Sequence, residues 1–68
     1  MNLSPRRLID LLKQNGFFYK RTKGSHQVFY HPFSCKTVIV PVHGGRDMKK
    51  GTFLAILKQA GIENPDAE

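Results

Sequence analysis

Apolar residues recur at helical spacing near both ends of the chain. Four of them between positions 8 and 12 form one stripe, and Ser4-Pro5 precedes that stripe. Serine can accept a hydrogen bond from a free backbone N–H at a helix start, and proline leaves no N–H unpaired in the first turn. A second stripe consists of Phe53, Leu54, Ile56, Leu57 and Ala60. The pattern therefore predicts one helix near each end.

Both helices are expected to end in the same way. Residues 12–17 and 57–62 share the order Leu-Lys-Gln-x-Gly-apolar. A glycine there adopts the left-handed conformation, and the apolar residue then folds back onto the leucine. We place the ends at Gly16 and Gly61. The start of the second helix has no sharp signal, and we place it at Thr52 or a residue just before it.

Three segments between the helices are rich in β-branched and aromatic residues and are bounded by turn residues. They cover residues 17–22, 25–31 and 36–40, with Lys23-Gly24 as a short hairpin connection and residues 32–35 as a longer turn. The sequence thus predicts an α+β fold in the order α-β-β-β-α. Two amphipathic helices can cover only one face of this three-stranded antiparallel sheet, so its other face is open.

Alternation along the middle strand divides its side chains between the two faces. Gln27 and Phe29 point to one side, and His26, Val28 and Tyr30 point to the other. If Phe29 enters the core beneath the helices, His26 is displayed on the open face.

The first strand supplies the neighbours of His26, but the sequence does not fix its register. Either Lys20 and Thr22 or Tyr19 and Arg21 flank the histidine. In the proposed sheet, four cations are close enough to hold phosphates: Lys20, Arg21, Lys23 and Lys36.

The charge is unevenly distributed. The net charge is +6, but three of the five acidic residues fall in the last six positions, which leaves +9 on residues 1–62. Such a surplus indicates a polyanionic partner, RNA or DNA, or an acidic protein that competes for the same face, with simple solubility as the alternative. We assign residues 1–62 to a single domain and residues 63–68 to a polar, frayed tail.

Other residues limit the function classes. The single Cys35 cannot form an intramolecular disulfide, and no apolar run at the N-terminus is long enough for a signal or membrane segment, so we expect a cytoplasmic protein. The spacing of His26, His31, Cys35 and His43 matches no standard zinc site, and the glycines form no nucleotide-binding fingerprint. We therefore expect no metal and no cofactor.

A histidine on a basic sheet face could cleave RNA without a metal. RNA carries its own nucleophile, the 2′-hydroxyl, so cleavage needs a base, an acid and cations. Imidazole in water titrates near pH ~6.5 and can take either proton-transfer role, each worth about 10² to 10⁴ in rate. An ordinary half-buried strand histidine at position 26 fits the same pattern.

His43 lies in a Pro-Val-His-Gly-Gly segment after the third strand. This segment could bring a second imidazole or free backbone N–H groups to a phosphate, or Gly44-Gly45 could form only a turn. His31, directly before Pro32, is most simply a turn residue.

Several motifs follow one another along nearly the whole chain. They are Asn-Gly-Phe at 15–17, Gly-Ser-His-Gln-Val-Phe at 24–29, Thr-Val-Ile-Val-Pro-Val-His-Gly-Gly at 37–45 and Lys-Gly-Thr-Phe-Leu-Ala-Ile-Leu-Lys-Gln-Ala-Gly at 50–61. This combination resembles the HicA (YcfA-like) mRNA interferase toxins of type II toxin–antitoxin systems.

The resemblance implies a fold like that of the double-stranded-RNA-binding domain (dsRBD). It also implies metal-independent endonucleolytic cleavage of mRNA by His26, in a bacterial or archaeal cytoplasm, and a HicB-like antitoxin that covers the active face. His43 falls in the family's loop motif and is carried over as a possible second catalytic or phosphate-contacting group. We expect the free chain to be a monomer.

Two other function classes fit the same basic face. A noncatalytic RNA-binding module predicts salt-sensitive RNA binding that does not need His26. A pure interaction protein with an acidic partner predicts no RNA affinity at moderate salt.

Overall fold

Two helices and three strands follow one another in the predicted order. The computed structural model describes residues 2–64. Helix α1 spans Pro5–Gln14, and strands β1, β2 and β3 span Phe18–Lys23, His26–His31 and Lys36–Pro41, followed by helix α2 at Lys50–Ala60. The strands form one antiparallel sheet in the order β1-β2-β3. The α+β class and the α-β-β-β-α order are confirmed, and every strand boundary lies within one residue of its prediction.

The predicted frayed tail covers residues 63–68. Of these, Glu63 and Asn64 lie in the described part of the chain, and residues 65–68 lie outside it. The division of the chain at residue 62 stays a prediction.

Helix α1 begins and ends at the predicted residues. The Ser4 side-chain oxygen accepts a hydrogen bond from the Arg7 amide at 3.2 Å. At the other end, Gly16 has a φ of +88° and the Phe17 amide donates to the Leu12 carbonyl at 3.0 Å. Because the chain folds back onto α1 in this way, Phe17 lies in the core directly before β1.

Helix α2 begins two residues before Thr52, earlier than predicted. Lys49 precedes the helix with an extended backbone and no side-chain capping bond, and its carbonyl accepts from the Phe53 amide at 3.0 Å. Just upstream, Met48 is buried and its amide donates to the Leu3 carbonyl at 2.8 Å. Tertiary contacts rather than a capping side chain fix this start, so no local pattern in the sequence marks it.

The core lies between one face of the sheet and both helices. Its largest fully buried side chains come from the sheet and from both helices: Phe29, Val38 and Val40 from the sheet, Leu8 and Leu12 from α1, and Phe53 and Leu57 from α2. Phe29 is therefore a core residue and His26 is exposed, as the alternation of β2 predicted. Neither helix covers the opposite face of the sheet.

Within residues 2–64, neither helix has the length and apolar character needed to cross a membrane.

Candidate active site on the open sheet face

Strand β1 contains an irregularity that changes which side chains face outward. Tyr19 pairs with Phe29 and Arg21 pairs with Val28, so Lys20 is an extra residue between them. Such a β-bulge interrupts the strict alternation of side chains.

The contacts of β1 show on which face its residues lie. The Tyr19 ring packs edge-on against Phe29 with 5.9 Å between centroids, and the Tyr19 hydroxyl is 2.6 Å from the Thr22 hydroxyl. The Lys20 ammonium, in contrast, lies 5.4 Å from the centroid of the Tyr30 ring. Neither predicted pair of flanking residues is therefore right: Tyr19 and Thr22 share the face of Phe29, while Lys20 faces outward.

His26 is the first residue of β2 and lies at one end of the open face. It pairs with Lys23 on β1 and with Pro41 on β3. A two-residue turn precedes it, in which Gly24 has a φ of +60°. His26 borders an open groove of about 810 Å³ that is lined by Arg21, Lys23, Gly24, His26, Val28 and Ile39.

The sheet brings His43 next to His26. The Val42 amide donates to the Ser25 carbonyl at 2.7 Å, which extends the pairing of β2 and β3 past Pro41. The rings of His26 and His43 then lie 6.2 Å apart between centroids, with their planes at 81°. Both side chains are exposed. Two histidines distant in the sequence thus share one end of the open face.

The Gly44-Gly45 segment is a defined tight turn. The Arg46 amide donates to the His43 carbonyl at 2.9 Å, and the two glycines have φ values of +55° and +79°. Two successive positive φ angles strongly favour glycine. Residues 43–46 therefore form a turn that begins at the histidine adjoining His26, and whether the segment also serves a phosphate stays a prediction.

A second groove lies on the other side of the histidine pair. It has a volume of about 400 Å³ and is lined by Pro41, His43, Arg46, Asp47, Met48, Lys49 and Thr52. Arg46 and Lys49 were not predicted as site residues, because neither lies on a strand. Their positions three and six residues after His43 could have indicated that they lie near it. A third groove, of about 460 Å³ beside α1, contains neither histidine.

The structure does not bring Lys36 to the other predicted phosphate-binding cations. Lys36 pairs with His31, at the end of the sheet opposite to His26. A Cβ on Gly61 would lie 2.6 Å from the Lys36 ammonium, which places that ammonium at the end of α2. The free carbonyls of a helix C-terminus favour a cation there.

His31 has a packing role beyond that of a turn residue. Its ring packs edge-on against Phe17 with 5.0 Å between centroids, and its Nδ1 accepts from the Ser34 amide at 3.1 Å. A Cβ on Gly16 would lie 2.8 Å from its Nε2. His31 therefore joins the end of α1 to the turn after β2, away from the other histidines.

A family model described as the HicA toxin of bacterial toxin–antitoxin systems matches residues 5–62. The chain belongs to the HicA toxin family. A search of the curated proteins found no match.

The match to the HicA toxins includes every helix and strand within residues 2–64, and it includes both His26 and His43. Toxins of toxin–antitoxin systems have an antitoxin as their partner, so membership of the HicA family gives this chain a protein partner as well. The roles of individual residues stay predictions.

The open face of the sheet also carries apolar and aromatic side chains. Phe18 pairs with Tyr30, and Ile39 pairs with Val28. The side chains of Phe18 and Ile39 are 64% and 52% exposed, whereas Val28 is buried between its neighbours. The open face is therefore mixed, with cations beside an apolar strip.

Tyr30 is linked to Cys35 at the end of the sheet far from His26. A hydrogen bond with the Cys35 side chain, together with the electrostatic interaction between the two groups, raises the pKa of the Tyr30 hydroxyl above its ordinary value. Tyr30 is therefore a neutral hydroxyl at physiological pH. Cys35 itself is exposed.

Among residues 2–64, no group of three or more histidine, cysteine or acidic side chains is arranged to hold a metal ion. The expectation of a metal-free reaction stays a prediction.

Proposed function

We propose that the chain is the toxin of a type II toxin–antitoxin system and cleaves mRNA endonucleolytically, with His26 and His43 as its proton-transfer groups. The observation that carries this proposal is the approach of the two rings to 6.2 Å on an exposed, basic surface. At that separation one phosphodiester can reach both imidazoles. A general acid or base must come within about 2.6–3.2 Å of the atom with which it exchanges a proton.

The proposed reaction needs no group that the chain and the RNA do not supply. One imidazole removes the proton from the 2′-hydroxyl, whose oxygen attacks the adjacent phosphorus. The bond from phosphorus to the 5′-oxygen breaks, and the other imidazole, in its protonated form, gives its proton to that oxygen. The products carry a 2′,3′-cyclic phosphate and a 5′-hydroxyl, and each proton-transfer step is worth about 10² to 10⁴ in rate.

Cations on both sides of the histidine pair support the same proposal. Arg21 and Lys23 line one groove, and Arg46 and Lys49 line the other. An RNA strand that crosses the pair would therefore meet basic side chains before and after the scissile phosphate. Such contacts hold the backbone and stabilise the charge that develops on the phosphorane.

We propose the partner that the HicA family implies and the compartment in which mRNA is found. A HicB-like antitoxin would inhibit the toxin by covering the open face and excluding RNA, with acidic groups opposite the cations. The substrate places the protein in the cytoplasm. A noncatalytic RNA-binding module on the same face would bind RNA equally well without producing new ends.

The direct test is timed RNA cleavage in excess EDTA, with analysis of the product ends. We expect the wild type to form cyclic-phosphate ends, and His26→Ala and His43→Ala each to lose about 10² to 10⁴ in rate. His31→Gln is the matched control, because it removes an imidazole at the far end of β2 and should still cleave. Equal rates for the wild type and His26→Ala would contradict the assignment, and RNA binding without any cleavage would favour the noncatalytic module.

A sulfur-substituted substrate assigns the two proton-transfer roles. When sulfur replaces the bridging 5′-oxygen, the thiolate leaves without needing a proton. The variant that lacks the general acid should then regain most of its rate, and the variant that lacks the base should not. Rescue of neither variant would show that neither histidine protonates the leaving group.

A further inference from the structure

We infer that Phe18 and Tyr30 form a base-stacking subsite for unpaired RNA on the open sheet face. This inference rests on the proposed function and deepens it, because it names single-stranded RNA as the substrate class. It assigns a role to aromatic side chains that the proposed proton transfers do not use.

The two rings are cross-strand neighbours on the outward side of the sheet. Phe18 on β1 pairs with Tyr30 on β2, and Tyr30 shares its face with His26 by the alternation of β2. Phe18 is 64% exposed, so packing within the chain does not account for its size. Exposed aromatic rings on a sheet are suited to stack on unpaired bases, as in other sheet-based RNA-binding domains.

The β-bulge adds a cation to this subsite. Because Lys20 is the extra residue of β1, its ammonium lies over the Tyr30 ring at 5.4 Å from the centroid instead of on the opposite face. A base that stacks on an aromatic ring has its phosphate close by, and a lysine beside the ring can contact that phosphate. The subsite thus combines a flat apolar surface with a positive charge.

An apolar strip joins the subsite to the histidine pair. Tyr30 lies four residues along β2 from His26, about 14 Å at the rise of an antiparallel strand. Val28 lies between them, beside the half-exposed Ile39. A strand with its scissile phosphate at the histidines would therefore place a base a few nucleotides away over Phe18 and Tyr30.

This arrangement favours unpaired over duplex RNA. In an A-form duplex the bases are stacked on one another, so a protein meets chiefly phosphates and 2′-hydroxyls. Aromatic rings on a sheet face have no exposed base on which to stack when the RNA is a duplex. Only a strand with free bases can use Phe18 and Tyr30.

The test measures binding in a background that should not cleave, His26→Ala, by fluorescence anisotropy of a labelled RNA oligonucleotide. Three probes are compared: the single strand, the same sequence as a duplex, and an abasic strand with the same number of phosphates. Phe18→Leu and Tyr30→Leu remove the rings but keep apolar side chains, and Tyr30→Phe keeps the ring without the hydroxyl. Phe33→Leu is the matched control, because Phe33 is 92% exposed but lies in the turn between β2 and β3.

We expect the single strand to bind more tightly than either other probe. Each leucine variant should weaken single-strand binding roughly 5- to 150-fold and leave abasic binding unchanged. Tyr30→Phe and Phe33→Leu should bind as the parent does. Tighter binding of the duplex, or leucine variants that match Phe33→Leu, would overturn the subsite while leaving the nuclease proposal intact. If no RNA binds at all, the proposed function itself fails.

Discussion

Two glycines of this chain, Gly16 and Gly51, differ in whether the structure could accept a larger residue in their place. Gly16 has a φ of +88°, and a Cβ there would lie 2.8 Å from the His31 ring. Gly51 lies in α2 without a positive φ, and apart from its chain neighbours and the backbone of its own helix, no described atom lies within 4 Å of the place a Cβ would take. The sequence predicted the role of Gly16 from its position after a helix. It could not reveal the contact with His31, because that contact depends on how the sheet packs beside α1.

We expect alanine at these two positions to change the free energy of unfolding in opposite directions. Gly16→Ala should lower it by about 1–2 kcal/mol from the left-handed backbone alone, with a further loss from the contact with His31. Gly51→Ala should raise it by about 0.4–1 kcal/mol, because alanine restricts the unfolded chain and favours the helix. Urea denaturation of both variants measures the difference, and a stabilised Gly16→Ala would contradict the argument.

At the scale of elements, the regular parts followed from the sequence and the irregular part did not. Helix ends, strand positions and the exposure of His26 all follow from capping glycines and two-residue alternation. The bulge at Lys20 has no such signal, because the four residues from Tyr19 to Thr22 include no glycine and no apolar alternation. The meeting of His26 with His43 likewise depends on the ladder bond between Val42 and Ser25, which a local pattern cannot supply.

Because of the β-bulge at Lys20, we expect deletion of a single residue to have different effects in β1 and β3. Removing Lys20 should leave a folded protein, because Tyr19 and Arg21 are already paired with consecutive residues of β2 and point to opposite faces. Removing Ile39 should abolish cooperative unfolding, because Val38 and Val40 would become neighbours and could no longer both face the core. Thermal unfolding followed by circular dichroism compares the two deletions. Similar behaviour of both would argue against a bulge at this position.

At the scale of the whole molecule, the two faces of the sheet differ, because one packs into the core and the other is open. One face buries Phe29, Val38 and Val40 beneath the helices, and the other carries the histidine pair and its cations. Composition alone predicted the surplus of positive charge but could not tell which cations share a surface. Lys36 was grouped with the others because its strand is adjacent, yet its ammonium lies at the end of α2.

This distribution of charge can be tested through the salt dependence of RNA binding. Each phosphate contact by a cation contributes about 0.7 to the slope of log affinity against log salt for a single strand. Arg21→Gln and Lys23→Gln should each reduce the slope by about that amount. Lys36→Gln is the matched control and should leave the slope unchanged. If Lys36→Gln reduces the slope as much as Arg21→Gln does, Lys36 contacts the RNA and this prediction is wrong.

The position of Cys35 has a practical consequence for spectroscopy. It is the only cysteine of the chain, and it is exposed at the end of the sheet opposite to His26. A thiol-reactive fluorophore would therefore attach at one site, remote from the histidine pair but beside Tyr30. Such a label offers a way to follow the arrival of RNA or of an antitoxin on the open face in real time, without a substitution in the chain.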